Sequence, residues 1–140
     1  MAYTSEILTL ANLTAEAASA TQSGVTFREA WREALVVLNV TTAAAAVGDT
    51  LDVYIDTSPD GGTTWLNLGH FTQVLGNGGA KKFTMALRSD NPGTSAVTDV
   101  TSDAAAGATR QYGICDRFRS RSVITGTTPA FTYSVKAFLK

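Results

Sequence analysis

The segment Leu51–Phe71, LDVYIDTSPDGGTTWLNLGHF, decides the fold class of this chain, because it joins two apolar stretches through a glycine-rich turn. Leu51, Val53 and Ile55 alternate with Asp and Tyr, the period-two pattern of a strand with one face on a core. The turn Pro59–Gly62, PDGG, supplies residues that tolerate positive φ. The segment therefore predicts a β-hairpin in an antiparallel sheet.

The same alternation recurs along most of the chain, for example in Phe83–Leu87 and in Phe131–Leu139. Short strands separated by turn residues are typical of an all-β domain. The strand candidates are residues 5–13, 24–29, 34–44, 49–57, 63–74, 81–88, 110–124 and 129–139. With 140 residues and no internal repeat, we predict a single antiparallel β-sandwich domain over residues 1–140, for which a jelly roll is one topology.

Two segments leave alternatives open. Phe27–Leu35, FREAWREAL, fits a strand or a helical turn or two, since Phe27, Trp31 and Leu35 share one helical stripe. Leu35–Val40, LVVLNV, is apolar on both faces. That pattern fits a central strand covered on two sides, or a short buried helix. The order of the strands does not follow from these patterns.

Two further segments fall outside the alternation. Residues 1–22 are rich in Ala, Ser and Thr, and they are a candidate N-terminal arm that pairs with a neighbouring subunit. Residues 89–109 combine Pro and Gly with small polar residues, which predicts a long surface loop.

The composition argues against several classes of function. Charged residues make up 16% of the chain and the net charge is −1, so no strong field attracts nucleic acid or anionic lipid. The first residues lack the pattern of a signal peptide, and no apolar run reaches the ~18 residues of a membrane helix. The single cysteine, Cys115, cannot form an intrachain disulfide. We therefore expect synthesis in a reducing cytoplasm, with neither nucleic acid nor membrane as a partner.

The stretch Ser58–Trp65, SPDGGTTW, matches the Asp-box pattern S-x-D-x-G-x-T-W, which is known from sialidases. Its carboxylate can accept hydrogen bonds from turn N–H groups, its glycines allow positive φ, and its tryptophan can anchor the turn. One box in 140 residues cannot supply the many blades of a sialidase. The residues of this predicted structural hairpin are Ser58, Asp60, Gly61, Gly62, Thr64 and Trp65.

Three arginines, Arg117, Arg119 and Arg121, alternate along one strand candidate and are predicted to share one face. We call them the arginine stripe. One interpretation is a solvated face that pairs with Asp or Glu on a neighbouring strand. The other is a contact surface for an acidic partner, because guanidinium groups bind carboxylates bidentately. Single-stranded nucleic acid is a weaker third candidate, since few aromatic residues accompany the stripe.

The sequence contains no constellation that predicts a catalytic, cofactor or metal site. The only histidine, His70, has no companion at metal-ligand spacing. Asp52 and Asp56 share a strand face, but strand rise separates them by about 13 Å. The glycine-rich GNGGAKK lacks the phosphate-loop spacing. We predict that the protein is not an enzyme and binds no cofactor or metal.

The block Leu51–Val74, LDVYIDTSPDGGTTWLNLGHFTQV, resembles small structural proteins of tailed-bacteriophage virions, in which a TSxDGGTTW hairpin leads to a strand that ends near HFT. The preceding ALVVLNVTTAAAAVGDT and the closing FTYSVKAFLK fit this group in character. The resemblance implies a β-sandwich virion component without catalytic residues. Some such proteins resemble head decoration, or cement, proteins at the local threefold points of the capsid; others are minor head, neck or tail proteins.

From this resemblance we expect a capsid decoration protein, made in the host bacterial cytoplasm, that forms trimers on the capsid surface of the virion. Its partner would be the major capsid protein, contacted through the N-terminal segment, residues 89–109 and the arginine stripe. A neck, head–tail connector or minor tail protein is the alternative within the virion. A carbohydrate-binding module that uses exposed Trp31, Tyr54 or Trp65 is the alternative from another class.

Overall fold

A computed structural model describes residues 5–88, 97–110 and 113–140, and within these residues the protein is all-β and contains no helix. Every strand pairing is antiparallel. The strands are β1 (Glu6–Glu16), β2 (Ala20–Thr21), β3 (Val25–Thr26), β4 (Glu33–Thr42), β5 (Thr50–Thr57), β6 (Leu66–His70), β7 (Val74–Leu75), β8 (Lys81–Arg88), β9 (Ala108–Thr109), β10 (Arg117–Thr125) and β11 (Phe131–Leu139).

Two sheets pack together as a sandwich. The first sheet is four-stranded, in the order β1-β11-β4-β8. The second sheet is seven-stranded: β2-β10-β5-β6-β9 form its path, β3 pairs with β10, and β7 pairs with β5. The fold class predicted from the alternating pattern is confirmed. The jelly-roll topology stays a prediction.

The core lies between the inward faces of the two sheets. On β4, Val36 and Leu38 are completely buried, and on β5 Ile55 is completely buried from the other side. Phe118 of β10 is also fully buried, and Phe27 packs edge-on against it with ring centroids 4.8 Å apart. This layer of interlocked apolar side chains holds the sheets face to face.

The segment Phe27–Leu35 is not helical. The backbone N–H of Arg28 and Nε1 of Trp31 both donate to Oε1 of Glu6, at 2.9 and 2.8 Å. Burial raises the pKa of Glu6, but these hydrogen bonds and the charge of Arg28 outweigh burial and bring the pKa below its ordinary value. Phe27 and Trp31 therefore belong to a loop pinned to β1, whereas Leu35, the third residue of the supposed helical stripe, lies in β4.

The sequence-based expectation that Leu35–Val40 is covered on both faces is wrong. Val36 and Leu38 point into the core, but Leu35 remains 44% exposed on the opposite face of the first sheet. A two-layer sandwich covers each sheet on one side only, so β4 keeps an uncovered apolar face.

The N-terminal arm expected over residues 1–22 is not confirmed. Glu6–Glu16 pairs with β11, and Ala20–Thr21 pairs with β10, both within the same chain. Residues 1–4 lie outside the described residues. A long loop is expected over residues 89–109, and residues 89–96 of it also lie outside the described residues. Residues 97–107 contain no strand, and β9 then pairs with β6.

Candidate functional site

The Asp-box closes the turn between β5 and β6. The buried Ser58 hydroxyl accepts a hydrogen bond from Gly62 N–H at 2.8 Å and donates one to Oδ1 of Asp60 at 3.0 Å. The same Oδ1 accepts from Thr64 N–H at 2.7 Å. Gly61 and Gly62 have φ values of 75° and 96°, which glycine adopts without strain. The hydroxyl, the carboxylate and the glycines thus act together in one turn, which is a structural role.

Trp65 ties this turn to the rest of the second sheet. Its Nε1 donates to the carbonyl of Gly62 at 3.0 Å. Its ring covers Gly24 so closely that a Cβ there would lie 2.6 Å from Cη2 of Trp65. The guanidinium of Arg119 lies 4.4 Å from the ring centroid. The tryptophan therefore joins the hairpin, the β2–β3 connection and β10.

A ladder of planar side chains continues from Trp65 across the outer face of the second sheet. Arg119 lies over Trp65, and Arg121 lies over Tyr54 at 4.7 Å. Tyr54 in turn stacks on His70, with centroids 4.1 Å apart and planes 26° apart. We call these five residues the planar ladder. Each cation–π contact is worth about 0.5–1 kcal/mol at a partly exposed site, so the ladder stiffens the face on which it lies.

Asp56 is the anionic centre of the planar ladder. Its side chain is 2% exposed, and one oxygen lies 2.9 Å from Nε of Arg119 and 2.6 Å from Nε of Arg121. Asn67 donates to its other oxygen at 3.1 Å. Arg121 also binds Asp103 at 2.6 Å. Burial lowers the pKa of Arg121, but the hydrogen bonds to the two carboxylates outweigh burial and hold the pKa above its ordinary value.

The arginine stripe is engaged within its own chain. Arg119 and Arg121 bind Asp56 on the neighbouring strand β5, which is the kind of pairing that the first interpretation of the stripe describes. Arg117 binds Asp116 at 2.9 Å and donates to the carbonyl of Gly61 at 3.0 Å. The three side chains are only 22–23% exposed. Contact between the arginine stripe and a partner protein stays a prediction. The guanidinium groups would have to make that contact while bound to carboxylates of their own chain.

His70 fastens residues 97–107 to the second sheet. Its Nε2 lies 2.8 Å from Oδ1 of Asp52, and its Nδ1 lies 3.1 Å from the carbonyl oxygen of Ala104. Both partners are acceptors, so each bond requires a ring N–H. Ala104 also donates its N–H to Oδ1 of Asn67 at 2.9 Å, and Gln73 donates to Asp52 at 2.8 Å. Asp52, Asn67 and His70 are all buried, which makes this a structural network.

The carboxylates on the second sheet are divided among separate partners. Asp52 pairs with His70, whereas Asp56 pairs with two arginines. Burial, together with the charges of Asp52 and Asp103, raises the pKa of the Tyr54 hydroxyl. Across residues 5–88, 97–110 and 113–140, no group of three or more His, Cys, Asp or Glu side chains could hold a metal ion. The arrangement stabilises the outer face of the second sheet.

The aromatic residues named for carbohydrate binding do not form an open platform. Trp31 is 7% exposed and bonded to Glu6, so its predicted exposure is wrong. Tyr54 is in contact with its neighbours in the planar ladder, and so is Trp65. A sugar ring would have to displace Arg121 or His70 to stack on Tyr54, and Arg119 to stack on the face of Trp65 that this guanidinium covers.

The outer face of the first sheet carries a feature that the sequence-based prediction missed. Ile7, Phe138, Leu35 and Ala86 are cross-strand neighbours on β1, β11, β4 and β8. We call these four residues the apolar row. The first three are 62%, 38% and 44% exposed, and Ala86 is exposed as well. The sequence signal for this row was the presence of apolar residues at outward positions of β4 and β11. The inward positions of these two strands are apolar as well and fill the core.

Two hollows flank Phe138 on this face. The first has a volume of about 300 Å³ and lies between Leu35, Ala86 and Phe138 of the apolar row, with Glu33 and Arg88 at its border. The second has a volume of about 200 Å³ and is bordered by Val37, Lys82 and Lys136. The face therefore combines apolar side chains, recesses of side-chain size and positive charge.

The chain has no recognised relative among the proteins with which it was compared. No family model, no curated protein sequence and no solved structure matches it. Among the described residues, no helix has the length and apolar character needed to cross a membrane. The function therefore has to be inferred from the surfaces described above and from the sequence.

Proposed function

We propose that this protein is a structural component of a tailed-bacteriophage virion, a capsid decoration protein that binds the major capsid protein and stabilises the head. The apolar row is the observation on which the proposal depends, because contiguous exposed apolar surface marks a site of protein contact. The Asp-box block Leu51–Val74, with its resemblance to virion proteins, supports the phage origin.

The mechanism we propose is binding without catalysis. The planar ladder and the network around His70 give the second sheet a rigid outer face, and the first sheet offers an uncovered one. Each bound copy stabilises the assembled capsid relative to its dissociated subunits. The reason is that a ligand which binds only the assembled state shifts the equilibrium towards that state. Many copies with modest affinity then strengthen the shell against internal pressure.

The test is to measure the mass of the purified protein by light scattering, alone and with empty capsids of the phage whose genome encodes it. We expect a trimer in solution and sedimentation with capsids in proportion to the capsid lattice. Binding limited to a single ring per particle would favour a neck, connector or tail protein. Failure to bind any part of the particle would contradict the virion assignment.

A further inference from the structure

We propose that the outer face of the first sheet binds an acidic protein surface, whose apolar side chains fill the two hollows beside Phe138 and whose carboxylates pair with Lys82 and Lys136. The inference rests on the proposed function only for the identity of the partner, the major capsid protein. The chemistry of the surface stands on observations of its own.

Charged residues are distributed unevenly between the two sheets. The strands of the first sheet contain no aspartate and three glutamates, Glu6, Glu16 and Glu33, whereas every lysine of the chain lies in this sheet or directly after it: Lys81, Lys82, Lys136 and Lys140. On the outer face, Glu33 lies opposite Arg88 in register. No ion pair is formed by Lys82 or Lys136 with the rest of the described chain. Positive charge thus collects beside the apolar row.

The second sheet differs in this respect. Its arginine stripe is paired with aspartates of the same chain, and Asp56 alone binds two of the three arginines. An acidic partner would have to compete with those internal carboxylates. The lysines of the first sheet offer the same charge without that competition, and electrostatic complementarity would therefore orient an acidic partner towards this face.

The shape of the outer face of the first sheet also suits a protein partner. The apolar row crosses the four-stranded sheet, and the strand spacing gives it a span of about 14 Å. Side chains of a partner can enter the hollows of about 300 and 200 Å³ on either side of Phe138. Burial of aromatic and aliphatic anchors in such recesses is what concentrates binding energy at protein interfaces.

Other occupants fit less well. A second copy of the chain would bring two lysine-bearing faces together, and like charges at an interface oppose binding. Nucleic acid offers no apolar partner for Ile7, Leu35 and Phe138, and its binding depends mainly on phosphate contacts. A lipid surface would require apolar side chains that protrude into it, whereas recesses lie beside Phe138.

The experiment measures binding of three variants to the same phage capsids by sedimentation. Leu35→Ser removes a member of the apolar row, and the double variant Lys82→Glu, Lys136→Glu reverses the charge. Val123→Ser is the matched control, because Val123 is 39% exposed on a strand of the second sheet and Leu35 is 44% exposed. We expect Leu35→Ser to weaken binding about tenfold, from the area that a leucine buries, and the double variant to weaken it at low salt. Val123→Ser should bind like the wild type.

The outcomes separate the two proposals. If the wild type binds capsids and the Leu35 and lysine variants bind equally well, this face is not the docking surface and the inference fails while the proposed function stands. If the wild type does not bind capsids, the proposed function fails. The surface is then judged with a synthetic amphipathic peptide that carries leucines flanked by glutamates, and with its lysine-for-glutamate counterpart.

NMR of the backbone amides shows where each peptide binds, because the signals of residues near the bound peptide shift. We expect the glutamate peptide alone to shift the signals of β4, β8 and β11, and the Leu35→Ser variant to abolish these shifts. No shifts, or equal shifts with both peptides, would overturn the inference. So would a wild-type oligomer that Leu35→Ser dissociates. Binding to duplex DNA or to vesicles with anionic lipid that requires Leu35 would overturn it as well.

Discussion

Asp60 stabilises the Asp-box turn through hydrogen bonds that favour its ionised carboxylate. The N–H and the hydroxyl of Thr64 donate to it and bring its pKa below the ordinary value of 3.8. A lowered pKa in the folded state adds stability above the ordinary pKa, and this stability is lost as the pH falls through the folded-state value. We predict that Asp60→Asn lowers the free energy of unfolding near neutral pH and that the difference from wild type shrinks below pH 3.8.

Urea unfolding of both proteins at about pH 6 and at about pH 3 measures this change. Glu29→Gln is the control, since Glu29 is an exposed loop residue that should affect stability little at either pH. An equal difference between wild type and Asp60→Asn at both pH values would show that the ionised form has no special role in the turn.

The local chemistry of the Asp-box could be predicted from sequence, because the hydrogen bonds that join Asp60 to Ser58 and to Thr64 span only two and four positions. The surroundings of Trp65 could not. Gly24 and Arg119 reach its ring from distant parts of the chain, and only the strand order brings them there. A sequence motif identifies contacts between residues that are close along the chain. Contacts across a sheet depend on the strand order, which the motif does not contain.

At the scale of elements, Asp56 connects β5 to β10 with a buried carboxylate that two arginines share. Asp56→Asn leaves Arg119 and Arg121 without their common anion in a partly buried site. We predict a loss of about 2–4 kcal/mol in the free energy of unfolding, since removal of one partner from a buried ion pair is costly.

Asp103→Asn is the matched control, because Asp103 binds the same Arg121 from a side chain that is 41% exposed. Its loss should cost less than about 1 kcal/mol, as for exposed ion pairs. Chemical unfolding of the two variants compares them directly. Equal costs would mean that burial does not determine the strength of this network.

His70 connects β6 to the segment 97–107, and a second prediction at this scale concerns that connection. His70→Phe keeps a ring to stack on Tyr54 but removes the hydrogen bonds to Asp52 and Ala104. Since one lost hydrogen bond is worth about 1 kcal/mol, we predict roughly fivefold faster exchange of the Ala104 amide hydrogen. Hydrogen exchange followed by NMR measures this rate.

The amide of Val36, in the middle of β4, is the internal control for His70→Phe, because it lies in the other sheet. Its exchange should change only if global stability falls. Unchanged exchange at Ala104 would show that the hydrogen bonds of the His70 ring do not hold the segment, which Asn67 and Asp103 also anchor.

The long strands could be predicted from alternation, since β5, β8 and β11 place apolar residues at every second position. Their order could not, because β1 pairs with β11 across nearly the whole sequence. The short strands β2, β3, β7 and β9 carry little pattern of their own, and they exist because a longer neighbour offers unpaired backbone groups.

At the scale of the whole molecule, the two-layer architecture explains why LVVLNV misled the prediction. A strand with two apolar faces is normally covered on both sides. Here Val36 and Leu38 fill the sandwich core, whereas Leu35 on the other face is left uncovered. Under the proposed function, the doubly apolar pattern signals an interaction surface, although sequence alone does not distinguish an internal cover from an external one.

This interpretation leads to a prediction that compares the two faces of β4. Leu38→Ala should cost about 3 kcal/mol of folding free energy, because it opens a cavity at a fully buried site. Leu35→Ala, three residues away on the uncovered face, should change stability by no more than about 0.5 kcal/mol. Thermal and urea unfolding of the isolated protein measure both values. If Leu35→Ala were as costly as Leu38→Ala, the outer face would be needed for folding. The apolar row would then have a role within the chain, and the case for a partner on this sheet would be lost.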